Sequence, residues 1–164
     1  MKKIISLTIS MFIITLFFAS CSQKKFNNGI TCKDLTSMLK REISVPQGEF
    51  EEYSNDELKF IFNYPELYDD ICIIYSSDST DICELGVIHA QNEENAKKIF
   101  EDSKNYLKNI QEQKSEFLRN YSPEELKKIN SADVRRFGNY VIFTISERNE
   151  RDTVFEKAKS ILSE

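Results

Sequence analysis

The sequence predicts an α+β domain: an antiparallel sheet of two hairpins with helices mainly on one face, in the order ααββααββα. Three observations carry this reading. Two β-branched, apolar stretches flank a polar turn between residues 69 and 90, and two more flank Gly138-Asn139. A long helical stripe over residues 92–119 separates the two pairs. Shorter amphipathic segments precede the first pair and follow the second.

Each element has a local cause. Residues 33–43 carry Leu35, Met38, Leu39 and Ile43 at helical spacing, with Thr31 or Asp34 near the start. Pro46 and Gly48 break the chain after this helix. Residues 55–63 form a short helix, capped by Ser54 with Glu57 three positions on, and ended by Pro65. The strands at 69–76 and 81–90, "DDICIIYS" and "DICELGVIHA", make the first hairpin. The long helix places Ala96, Ile99, Phe100, Tyr106, Leu107, Ile110, Phe117 and Leu118 on one stripe. Its other face carries the ion pairs Glu93–Lys97, Glu94–Lys98 and Lys108–Glu112. "YSPEELKKI" starts a new helix, with Ser122 as cap, Pro123 in the first turn and Glu125 closing a capping box. "SADVRRFGNYVIFTISE" is the second hairpin, turning at Gly138-Asn139. Val154, Phe155, Ala158, Ile161 and Leu162 mark a last amphipathic helix over residues 150–163.

The first twenty residues are read separately. Met1, Lys2 and Lys3 make a basic head, followed by an apolar run and then Ala19, Ser20 and Cys21. This is the pattern of a secretory signal peptide, and the run is shorter than the roughly 20 residues of a spanning helix. "FASC" resembles the lipobox of bacterial lipoproteins, with Phe18 in place of the usual Leu. The resemblance implies cleavage before Cys21, acylation of its sulfur, and residence on the extracytoplasmic face of the cell membrane. Two acyl chains on one residue anchor stably where one is marginal. The expected organisation is a leader at 1–20, a lipidated Cys21 with a flexible tether at 21–31, and one domain at 32–164.

The mature chain of 144 residues is long enough for one real core. Loss of Lys2 and Lys3 takes the formal charge from −5 to about −7. An acidic body argues against nucleic acid and against electrostatic binding to anionic lipid. The bilayer is therefore a partner only through acylated Cys21.

At "YSPEELKKINSADVRRFGNYVIFTISE" the chain resembles domain of unknown function family 4358, small lipoproteins of Gram-positive bacteria. The resemblance runs from residue 33 to 163. It rests on "ELGV" at 84–87, the long helix, "NYSPEEL", and "GNYV" at 138–141, in that order. Cys72, Cys83 and His89 are not part of the family pattern. The family implies a lipoprotein context and no activity, cofactor or catalytic residue.

Few constellations bear chemistry. Cys32, Cys72 and Cys83 remain once Cys21 is spent. A tight first turn sets Cys72 across from Cys83, so the two form either a disulfide or a pair of buried thiols. His89 stands without a neighbouring nucleophile in sequence, and no metal-ligand spacing is present. Asp69, Asp70, Asp78, Asp81 and Glu84 gather around the first hairpin, matching no calcium loop and reading as solvated carboxylates. In the second hairpin, parity puts Val134, Phe143 and Ile145 on the covered face. Arg135, Phe137, Tyr140 and Ile142 fall on the other, which one-sided helices would leave open as a recognition patch.

Two functions compete. A non-enzymatic, membrane-tethered interaction module with an envelope protein partner fits the anchor and the exposed aromatics. A small-ligand-binding accessory lipoprotein would need a pocket, with Phe137, Tyr140 and Tyr75 as its lining. An envelope hydrolase has no motif behind it, and no cofactor motif is present.

Overall fold

Five strands hydrogen-bond into one antiparallel sheet: β1 (Phe50–Glu52), β2 (Tyr68–Ser76), β3 (Glu84–Ala90), β4 (Asp133–Phe137) and β5 (Tyr140–Ile145), in spatial order β1-β2-β3-β5-β4. The structure is a computed structural model and describes residues 26–45, 48–62 and 65–163. The expected leader and Cys21 lie outside the described residues. Five helices are described: α1 (Cys32–Leu39), α2 (Asn55–Ile61), α3 (Glu93–Tyr121), α4 (Pro123–Ser131) and α5 (Arg148–Leu162). None of the described helices is long and apolar enough to cross a membrane. The predicted order stands, with one addition. Short β1 pairs with the outer edge of β2 through Phe50–Ser76 and Glu52–Ile74.

The local signals act as read in most places. Ser54 and Glu57 form a reciprocal capping box on α2. Gly138 takes φ +60° at the first position of the two-residue turn, a left-handed conformation that glycine adopts without strain. The three predicted ion pairs on α3 are present, at 3.4, 3.1 and 3.6 Å. At the α3–α4 junction the expectation fails. Ser122 makes no side-chain cap bond. Glu125 instead turns away to the β2–β3 loop, accepting from Ile82 N–H at 2.9 Å.

The expected one-sided packing is also corrected. Both faces of the sheet are covered. α1 and α5 pack Leu35, Leu39, Val154, Phe155 and Leu162 onto Cys72, Leu85, Val87, Phe137, Tyr140 and Ile142. α2, α3 and α4 pack Leu58, Ala96, Ile99, Leu107 and Ile129 onto Ile73, Ile88, Val134, Val141, Phe143 and Ile145. The physical reason lies in the central strands. All six residues of β5, "YVIFTI", are buried. A strand buried on both faces reads as a continuous apolar run, whereas one exposed face would impose alternation. On the α3 side, Phe143 lies over Gly86, where an added Cβ would come within 2.1 Å of the ring.

The sheet has two distinct ends. At one, the Gly138-Asn139 turn meets the end of β3 through Ala90 N–H to Asn139 C=O, 2.9 Å, and α3 begins beside it. At the other lie the β2–β3 loop, the start of β3 and the end of β5. A strand of seven residues covers about 23 Å. The 29 residues of α3 cover about 43 Å, so its last turns overhang the far end of the sheet.

Candidate functional site

The predicted recognition patch is core. Its register is the expected one, with Phe137 opposite Tyr140 and Arg135 opposite Ile142. The face they share lies under α1 and α5. Tyr140 and Ile142 are fully buried and Phe137 nearly so. Tyr140 OH donates to the Ile30 carbonyl, and Phe137 meets Phe26 edge-on at 6.1 Å between centroids. Arg135 is only partly covered and lays its guanidinium over the Phe155 ring at 4.5 Å. A ligand pocket lined by Phe137, Tyr140 and Tyr75 fails for the same reason, since Tyr75 pairs with Glu84 on the opposite face and donates to Glu51.

The proposed Cys72–Cys83 bond is likewise replaced. Cys32, Cys72 and Cys83 are free, buried thiols. The loop between β2 and β3 is longer than a tight turn, so Cys72 pairs with Val87 while Cys83 faces Ser76. Four strand positions separate the two cysteines, about 13 Å and beyond disulfide reach. Burial, then the Asp70 charge, pushes the Cys32 thiol up, and burial followed by Asp81 does the same to Cys83. Thiols held neutral are weak nucleophiles. His89 stacks on Tyr140 at 4.6 Å, with Nδ1 3.9 Å from Asp69. Among the described residues, no three His, Cys, Asp or Glu side chains form a group that would hold a metal ion.

Of the acidic residues of the first hairpin, Asp69 is exposed as expected, while Asp70, Asp81 and Glu84 are held by partners. Asp70 accepts from Cys32 N–H at 2.6 Å at the start of α1. Asp81 joins a mostly buried triad in which Lys128 Nζ lies 2.8 Å from Asp81 and 2.9 Å from Glu125. Burial works against the Asp81 charge, but the Lys128 and Cys83 N–H bonds outweigh it and hold the carboxyl below its usual range. Burial would likewise lower Lys128, and its two carboxylate partners hold it above its usual range instead. The triad ties the β2–β3 loop to α4.

Glu84, the acid of "ELGV", is buried against α3. Tyr106 OH donates to its two oxygens at 2.9 and 3.0 Å. Burial raises the carboxyl to about 7, against the opposing pull of Tyr106 and Lys114. Strand parity explains the position. Glu84 shares a face with Gly86 and Ile88, and that face packs on α3.

Beyond Glu84 and the triad, a groove of about 530 Å³ opens between the β2–β3 loop and the overhanging end of α3, lined by Thr80, Ile82, Lys114, Phe117 and Tyr121. Phe117 and Tyr121 are 61% and 74% exposed, and their rings lie 4.9 Å apart. The helical stripe read from sequence counts Phe117 as core and omits Tyr121. The stripe continues past the end of the sheet, and only Leu118 turns back into the core there. The spacing of four residues between two aromatics, near the end of a helix longer than any strand, is the signal that marks them.

The fold and site thus define a sandwiched antiparallel α+β domain with an aromatic groove at one end. The chain belongs to the family described as Domain of unknown function (DUF4358), whose model matches residues 46–146. The match spans the whole sheet with α2, α3 and α4, and leaves out α1 and α5. No curated protein and no solved structure matches the chain.

Proposed function

We propose that this protein is a bacterial lipoprotein, acylated at Cys21 on the extracytoplasmic face of the cell membrane, and that it serves as a non-enzymatic interaction module at the envelope. The leader and "FASC" support the anchor. The module reading rests on the Phe117–Tyr121 pair, two exposed rings 4.9 Å apart beside a groove. Exposed aromatics of this kind are the residues that dominate protein interfaces. Lys114 and Gln113 give the groove a polar margin.

The anchor is tested by acyl labelling of wild-type and Cys21→Ser protein, with loss of label and altered processing expected for the variant. The module is tested in cells by a photo-crosslinking amino acid at position 117 and, as control, at exposed Lys98. One discrete adduct from 117 is expected. Identical patterns from both positions would reject the groove as the docking surface. A small-ligand accessory role is the second reading, favoured by a groove volume within the range of ligand sites.

A further inference from the structure

We infer that the end of the domain carrying the Gly138-Asn139 turn is its bilayer-facing surface, so that α3 rises away from the lipid and holds the aromatic groove at the far end. The inference rests on the reading of Cys21 as the lipid anchor. It comes from where the chain first joins the domain.

Residues 26–30, expected as flexible tether, are docked. Phe26 forms a bridge with Ser163 and packs on Gly138, where an added Cβ would lie 2.9 Å from the Phe26 Cβ. The next residue donates its N–H to the Leu162 carbonyl at 2.8 Å. Tyr140 OH then holds the Ile30 carbonyl, and Cys32 N–H is bound by Asp70. Every one of these contacts lies at the same end of the sheet. Only residues 22–25 separate Cys21 from Phe26. Five residue steps span at most about 18 Å even when fully extended. An acylated sulfur in the headgroup region therefore keeps this end within about 18 Å of the lipid. Asn120, near the end of α3, stands about 40 Å from the start of that helix.

The near end mixes uncharged loop residues with exposed carboxylates. Asn27, Asn28, Gly29, Gln91, Asn92, Gly138 and Asn139 are uncharged, although the mature chain carries net negative charge. The adjoining Glu93 is paired with Lys97 and Arg136. Exposed Glu66 and Asp69 also lie at this end, so the short leash, and not the charge of the tip, holds it at the lipid. The partner of this surface is the lipid itself, and the groove is left to a partner that stands clear of the headgroups.

The test uses the full acylated protein in phosphatidylcholine–phosphatidylglycerol vesicles bearing headgroup acceptor dyes. A donor fluorophore is placed by amber suppression at exposed Gln91 or exposed Asn120. Energy transfer is expected to be at least about twofold greater from 91, given the length of α3 between the two sites. Equal transfer, or greater transfer from 120, with the protein still floating with the vesicles, would overturn the inference and leave the anchor standing. Loss of flotation together with absence of the acyl mass would overturn the anchor and this inference with it. A variant with about ten Gly and Ser residues inserted between Lys25 and Phe26 raises the maximum span of the leash from about 18 Å to about 54 Å. It should erase most of the difference, and an unchanged difference would reject the short leash as its cause.

Discussion

Replacing Glu84 with Gln should stabilise the protein at neutral and alkaline pH and change it far less in mild acid. Glu84 is completely enclosed, and burial lifts its carboxyl from 4.5 to about 7 in the folded state. A group whose folded pKa is raised binds its proton more tightly when folded. Its contribution is fully present below the unfolded pKa and is lost as pH rises through about 7. The shift of about 2.5 units corresponds to roughly 3 kcal/mol once the carboxylate is fully ionised. Gln has the same shape, still accepts from Tyr106, and carries no charge to desolvate. Urea denaturation of both proteins at several values between about pH 5 and pH 9 gives the difference directly, and the other titrating groups cancel in the subtraction. The expected gap is about 1 kcal/mol or less at the acid end and grows to roughly 3 kcal/mol in favour of Glu84→Gln at the alkaline end. Parallel pH profiles for the two proteins would refute the assignment of Glu84 as an enclosed, near-neutral titrating acid.

Lys128→Met should cost about 3–5 kcal/mol, because it strands Asp81 and Glu125 in a mostly buried site. Asp81→Asn and Glu125→Gln added to the same chain should recover most of that loss in chemical denaturation. Cys32, Cys72 and Cys83 should all resist alkylation in native protein and react together in urea, as mass spectrometry would show. A native Cys72–Cys83 crosslink would contradict the strand register. Phe137→Ser with Tyr140→Ser should unfold the domain, since each truncation of a buried ring costs about 3–5 kcal/mol. The matched exposed pair Phe117→Ser with Tyr121→Ser should change the urea midpoint little, within about 0.5 kcal/mol per site.

Much of the architecture was written in local signals. The turn at Gly138-Asn139 set the register of β4 and β5 residue by residue, because a two-residue turn leaves no freedom in which positions oppose. The Ser54–Glu57 box and the stripe of α3 acted through bonds and contacts no more than four residues apart, where sequence distance is spatial distance. The overhang of α3 follows from element lengths alone, since its 29 residues outrun the seven of β3.

What the tertiary structure alone decided was which surfaces meet. Parity sorted Arg135, Phe137, Tyr140 and Ile142 onto one face, but could not show that α1 and α5, far apart in sequence, close over it. The continuous apolar run of β5 was the one local hint. The first hairpin went astray because its loop is held by distant partners, Lys128 and Glu125 from α4, which lengthen it and shift Cys83 four positions from Cys72. Glu84 and Asp81 looked like surface acids for the same reason. A carboxylate is solvated by default, and only the arrival of Tyr106 and Lys128 from remote helices makes burial of these two tolerable. Local chemistry determined the elements and their registers, and long-range packing determined which of their residues the solvent can reach.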